Sequence, residues 1–253
     1  LSYNKGSDVY AIQDNANNFA SSISNLSVSN VSSDTVAPST PTLSLVRSDS
    51  GLVGDNLTNT TTPYIHVAFN EVSDDPTNPK AGDTITLYDA TGTSVTSYTL
   101  TSTDISNRYA EVLANFGTTG NKAVEGTITD FAHNVSSMSS LYHFSIDNSK
   151  PQLISASATN SNISLTFASL ETGLLPGMTP PGTGSFQVNY NGSVNQVQSV
   201  SVNTVTEVIT LAVNTPMVSG NNLTVTYNES PGNDILNPGG NAANSFTTGN
   251  ISI

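Results

Sequence analysis

The sequence contains no cysteine and no tryptophan in 253 residues, and aromatic residues make up only 7% of it. The lack of cysteine excludes a disulfide scaffold and a thiolate metal site. Basic residues are nearly as scarce: six Lys and Arg stand against 19 Asp and Glu, for a formal net charge of -13. Such a surface repels a phosphate backbone, so nucleic acid is excluded as a partner, and an anionic membrane with it. No run of about 18 apolar residues is present, so insertion into a bilayer is not expected. The chain opens at Leu1-Ser2-Tyr3 without a secretory leader and reads as a processed product or a piece of something longer. Little Lys, Arg or Glu, with abundant Ser, Thr, Asn and β-branched residues, disfavours helices.

Chemistry-bearing motifs are equally scarce. Of the three histidines, His66 and His143 sit within strand patterns and His133 within a turn. No Gly-x-Ser-x-Gly elbow, zinc-spaced His pair or Gly-rich phosphate loop is present. Adjacent acids such as Asp74-Asp75 are more often solvated or metal-bound than catalytic. The chain is therefore not expected to be an enzyme.

What is present is an internal repeat. Ala11-Ile-Gln-Asp-Asn-Ala-Asn-Asn-Phe-Ala-Ser-Ser22 aligns with Thr127-Ile-Thr-Asp-Phe-Ala-His-Asn-Val-Ser-Ser-Met138, placing Asp14 on Asp130 and Asn18 on Asn134. A weaker copy, Ile235-Leu-Asn-Pro-Gly-Gly-Asn241, puts Asn237 and Asn241 in those places. A second marker agrees: Asp34-Thr-Val-Ala-Pro38 recurs as Asp147-Asn-Ser-Lys-Pro151. Two markers with nearly one spacing define a structural unit, and its length of about 100 residues suits a β-sandwich. Runs such as Tyr64-Ile-His-Val-Ala-Phe69, Ile163-Ser-Leu-Thr-Phe167 and Leu223-Thr-Val-Thr-Tyr227 alternate apolar and polar, as antiparallel strands with one wet face do. Turn formers such as Asn191-Gly192 separate them, and Asp-x-x-x-Asn reads as an Asx-stabilised turn.

The expected architecture is all-β, with tandem immunoglobulin-like antiparallel β-sandwiches over residues 34–150 and 151–253. Residues 1–33 match only the last strand pair of a unit, including the strand-like Leu26-Ser-Val-Ser-Asn-Val31. An isolated hairpin is marginal in water, so this segment is expected to belong to an upstream or strand-complemented domain. Pro38-Ser-Thr-Pro41 and Pro151 mark the boundaries and stiffen them.

Three stretches in order resemble the bacterial Ig-like repeat of large biofilm-associated and type I-secreted adhesins. They are Asp34–Leu43, Asp49–Pro63 and Thr129-Asp-Phe-Ala-His-Asn134. Residues 151–253 resemble the SwmB-type repeat, named for a cyanobacterial swimming-motility protein. The matching pieces are Pro151-Gln-Leu-Ile-Ser-Ala-Ser157, Ile163–Phe167, Leu223–Tyr227 and Gly240-Asn-Ala-Ala-Asn-Ser-Phe246. That family usually carries Asp where this chain has Asn237. The resemblance implies an exported, multidomain surface protein that uses calcium.

Calcium also fits the acidity, because Ca²⁺ takes six to eight oxygen ligands. In an Ig-type sandwich the leading linker, the loop after the second strand and the last hairpin loop share one end. That gathers Asp34, Asp74 or Asp75, and Asp130. The opposite end gathers Asp49, Asp55 and Asp147. The competing reading is that Asp130 and Asp14 cap their turns while Asp34 and Asp147 solvate linkers. Carbohydrate binding through Tyr3, Tyr10, Tyr98, Tyr109 or Tyr190 is a weaker alternative, since sugar sites favour exposed aromatics and there is no Trp. Together these features lead to an expected function as a spacer of an extracellular, cell-surface, adhesin-like protein. Its partners are neighbouring Ig-like domains of the same or adjacent chains and a cell-surface or matrix ligand. The alternative is a filament or surface-layer subunit assembled by strand addition through residues 1–33.

Overall fold

The computed structural model describes residues 12–14, 17–22, 24, 34–70, 75–168 and 173–253. The chain divides into two compact units, Leu1–Val36 and Ala37–Ile253. In the smaller unit, the described residues form a turn closed by a bridge between Gln13 and Phe19, with Ala20 N–H donating to the Ile12 carbonyl at 2.8 Å. Leu26–Val31, Tyr3 and Tyr10 lie outside the described residues, and so does Asp74 in the larger unit.

The larger unit holds two sandwiches in sequence. The first comprises β1 (Thr42–Ser44), β2 (Leu57–Thr58), β3 (Tyr64–Ala68), β4 (Thr84–Asp89), β5 (Ser94–Thr99), α1 (Ser102–Asn107), β6 (Tyr109–Leu113), β7 (Gly120–Thr129) and β8 (Tyr142–Ile146). One sheet has the order β1-β3-β6 and the other β2-β8-β7-β4-β5. All pairings are antiparallel except β2 with β8, where Leu57 lies opposite Ser145 in parallel. The alternation dictates which face turns inward. In β3, Ile65 and Val67 are fully buried, and in β4 Ile85 and Leu87 are, while the intervening residues stay partly exposed. Both sheets contribute to one apolar core, with Phe144 and Ile146 from β8 and Val124 and Ile128 from β7. Each fully buried side chain of this size contributes roughly 1.5–3 kcal/mol relative to exposure.

The second sandwich comprises β9 (Gln152–Ala158), β10 (Asn162–Ala168), β11 (Phe186–Tyr190), β12 (Ser193–Asn195), β13 (Val197–Asn203), β14 (Val208–Val213), β15 (Leu223–Tyr227) and β16 (Phe246–Thr247). Its sheets have the orders β13-β14-β10-β9 and β12-β11-β15-β16, antiparallel throughout. A separate core runs from Ile163 through Leu211 and Val225 to Ile251. Asn191 and Gly192 both take positive φ, 51° and 78°, in the two-residue turn between β11 and β12. That backbone matches the twist of the flanking strands, and it is why Asn-Gly occurs there. Tyr227 is fully buried at the end of β15, where its hydroxyl accepts from Ile235 N–H at 3.1 Å.

One short helix interrupts the β pattern. Thr101 caps α1 by accepting from Asp104 N–H, and the Asp104 carboxylate accepts from Thr101 N–H at 2.8 Å. This reciprocal capping box nucleates a single turn and a half that buries none of its own residues. Among the described residues no helix is long and apolar enough to cross a membrane.

Candidate functional site

The repeated motif folds as one turn three times. Asn18 N–H donates to Asp14 Oδ1 at 2.9 Å, Asn134 N–H to Asp130 Oδ1 at 2.8 Å, and Asn241 N–H to Asn237 Oδ1 at 2.8 Å. The second and third copies sit between the last long strand and the closing strand of their sandwiches, after β7 and β15. In each copy the first residue also donates its N–H to the carbonyl of the last, at 3.0, 3.0 and 3.1 Å. The fourth position takes positive φ in all three: Asn17 at 62°, His133 at 67° and Gly240 at 75°. Short Asx side chains satisfy backbone donors locally, so the motif needs no tertiary partner to form.

The third copy does have a tertiary partner. It sits against the first sandwich and the linker that follows β8, forming the join between the two halves of the larger unit. Asn237 is fully buried, and its Nδ2 donates to the Ser149 carbonyl at 2.9 Å and to Asp147 Oδ2 at 3.3 Å. Asn241 Nδ2 donates to the Asp147 carbonyl at 2.9 Å. Asp147 is itself buried, at 4% exposure. Its N–H donates to the Thr58 carbonyl, which ties it to β2, and its Oδ1 accepts from Ser149 N–H at 2.8 Å. From the other side, the loop between β1 and β2 closes over the turn. Leu52 N–H donates to the Pro238 carbonyl at 3.0 Å, and Ser50 Oγ donates to the Gly239 carbonyl at 2.7 Å. Gly51, at φ 73°, passes so close that a Cβ there would lie 1.9 Å from the Pro238 oxygen. Lys150 Nζ adds a bond to Asn244 Oδ1 at 2.7 Å.

The other sequence-derived aspartates fall in several places. Asp34 belongs to the smaller unit, where its Oδ1 accepts from Val36 N–H at 3.0 Å. Asp75 accepts from Thr77 N–H and Oγ1, and these bonds hold its carboxyl below the usual range. Asp130 is lowered likewise, first by the Asn134 side chain. It lies near Asp83, whose carboxyl is raised mainly by burial and further by Asp130. Asp49 and Asp55 come together: Asp55 is raised by partial burial and by its Asp49 neighbour. Asp49 Oδ2 accepts from Gly54 N–H at 2.6 Å, while its Oδ1 is buried without a hydrogen-bond partner. Among the described residues, no group of three or more His, Asp or Glu is placed to hold a metal ion.

These aspartates lie in two different surroundings. At Asp147 the carboxylate accepts from the Asn237 amide, from the Ser149 N–H and from the Ser149 hydroxyl. At Asp49 and Asp55 two carboxylates are neighbours instead. Of the tyrosines considered for sugar binding, Tyr98, Tyr109 and Tyr190 lie among the described residues, and each has a partner within the fold. Tyr98 Oη donates to Asp104 Oδ2, Tyr190 Oη accepts from Val218 N–H and Asn221 Nδ2, and the Tyr109 ring lies against His66. His66 in turn contacts Glu111 at 2.8 Å across β3 and β6.

Residues 146–232 match the sequence model of the SWM repeat, a flagellar-system-associated repeat. Solved structures similar to this chain include the fibronectin(III)-like modules of Clostridium thermocellum CbhA, at 10% identity and a TM-score of 0.36, covering 81% of this chain and 90% of that one. The BSP domain of a biofilm-associated protein is similar at 17% identity and a TM-score of 0.25, covering 78% of this chain and 28% of that one. A tetra-tandem repeat from the extending region of a large adhesion protein is similar at 17% identity and a TM-score of 0.27, covering 83% of this chain and 48% of that one. No curated protein matches the chain.

Proposed function

We propose that this chain is a structural spacer, a stalk segment of an extracellular bacterial surface protein, with its domains divided at the two Asp-to-Pro linkers. The observation that carries this reading is the join. Six hydrogen bonds and a glycine close approach link the turn 237–241 and Lys150 to Asn244, the linker 147–149 and the loop 50–52. A flexible tether needs none of these, whereas a module that must hold a fixed direction between consecutive sandwiches needs several. The match of residues 146–232 to a repeat-type family supports the same reading. Within this reading a calcium ion belongs with Asp49 and Asp55, in the loop that closes over the join, and not with Asp147.

Light scattering coupled to size exclusion over a hundredfold dilution tests the reading. A spacer elutes as a monomer of 26.3 kDa at every concentration. Large species that resist dilution would instead establish a self-assembling filament subunit.

A further inference from the structure

At its leading side chain the third copy of the repeated turn differs from the other two by one atom type, and that atom faces the join. In the first two copies the leading residue is aspartate, and its Oδ2 accepts from the closing asparagine, Asn18 Nδ2 at 3.0 Å and Asn134 Nδ2 at 2.8 Å. In the third copy Asn241 Nδ2 donates to Asn237 Oδ1 instead, at 3.1 Å. That leaves Asn237 Nδ2 to point outward at two acceptors, the Ser149 carbonyl and Asp147 Oδ2. Had this copy kept aspartate, a carboxylate oxygen would stand in the amide's place. Three acceptors, two of them anionic, would then converge in a site where Asn237 is fully buried and Asp147 is 4% exposed. Buried like charges at this separation are strongly unfavourable unless a proton or a cation lies between them.

We infer that Asn237 closes this join without a cation, its amide N–H replacing the positive charge that an aspartate at the same position would require. The amide supplies two donors in fixed directions, satisfying both the linker carbonyl and the Asp147 carboxylate. The turn itself is indifferent to the exchange, because Asp14 and Asp130 build the same backbone with carboxylates. The choice of asparagine is thus a property of the join and not of the turn. The inference deepens the spacer reading and rests on it: the bonds of Asn237 and Asn241 to the linker 147–149 form without calcium and hold at any level of the ion.

The test is amide exchange on the full chain by NMR, with and without chelator, in the wild type and in Asn237→Asp. The Asn241 side-chain amide protons, which lie outside the Asp49–Asp55 loop, report the join, and strand amides of β10 and β15 report the second sandwich. In chelator the wild-type join should remain protected. In chelator N237D should expose the reporters about tenfold faster or more, as expected when a buried carboxylate loses one of its donors and gains a like charge beside it. Millimolar calcium should restore protection in the variant, with β10 and β15 unchanged throughout. Two results would overturn the inference: wild-type reporters that exchange freely in chelator and slow at least tenfold with calcium, or an N237D join as protected in chelator as the wild type. Neither touches oligomeric state, so the spacer reading stands or falls separately on the dilution experiment.

Discussion

Replacing Gly51 by alanine should open the join and leave both sandwiches folded. Gly51 holds φ at 73°, a region that costs an L-residue with a side chain roughly 1–2 kcal/mol. An added Cβ would also lie 1.9 Å from the Pro238 oxygen and 2.5 Å from the Gly240 nitrogen, both backbone atoms that cannot swing aside. The loop must therefore lift off the turn, which removes the Leu52 to Pro238 and Ser50 to Gly239 bonds. Each such bond contributes about 0.5–1.5 kcal/mol net. Even the low end, about 2 kcal/mol in all, multiplies the open population roughly 30-fold. Gly51 belongs to neither apolar core, so the sandwiches have no reason to weaken. Amide exchange reads this directly: Leu52 should accelerate roughly 30-fold while Val67 in β3 and Val225 in β15 keep their wild-type rates. Gly54 is the matched control. It has φ 93° but open space where its Cβ would go, so Gly54→Ala carries backbone strain without a clash. If Leu52 exchanges at the wild-type rate in G51A, or if G54A accelerates it equally, the join is not built around this close approach.

The buried hydroxyl of Tyr227 offers a test of the second core. Tyr227→Phe leaves the buried Ile235 N–H without its acceptor, so it should cost about 1–3 kcal/mol and lower the melting temperature by about 4 °C or more, with the denaturant slope unchanged. Burial raises the Tyr227 phenol, so its contribution is complete below the unfolded value of about 10 and is lost as pH rises from there through the folded value. Wild-type melts should therefore fall more steeply than Y227F melts on alkaline titration, and parallel curves would contradict that assignment.

Much of the fold was legible because each sandwich is built on period-two strands. Ile65 and Val67, Ile163 and Leu165, and Leu223 and Val225 alternate with polar residues, and all six are fully buried or nearly so. Asn191-Gly192 announced its turn through backbone chemistry alone. The edges were harder to read. β5 (Ser94–Thr99) and β13 (Val197–Asn203) bury little, so alternation leaves a faint signal in them. β2 is two residues long and pairs in parallel with β8, a contact that depends on the far end of the first sandwich. Helix α1 left only the Thr101-x-x-Asp104 signature, without an apolar stripe to draw attention to it.

The candidate site was legible in part. The Asp/Asn-x-x-x-Asn turn could be found three times because it is closed by its own side chains. What the third copy holds could not be found, because Asn237 and Asn241 reach a linker about 90 residues earlier. Gly51 and Ser50 had no local signature at all, since their role comes from a surface belonging to the other sandwich. The acidic residues behaved similarly. Asp49 and Asp55 lie in one loop and do meet, whereas Asp147 is held by amides that no charge count would suggest.

The central claim, that the two sandwiches of residues 37–253 keep one fixed direction, is tested most directly by residual dipolar couplings from both halves in one weakly aligned sample. If the join is rigid, couplings from β3, β4 and β7 and from β10, β14 and β15 fit a single alignment tensor of common magnitude and orientation. Two tensors of different magnitude, one for each half, would show that the sandwiches reorient independently and that the hydrogen bonds around Asn237 do not hold them.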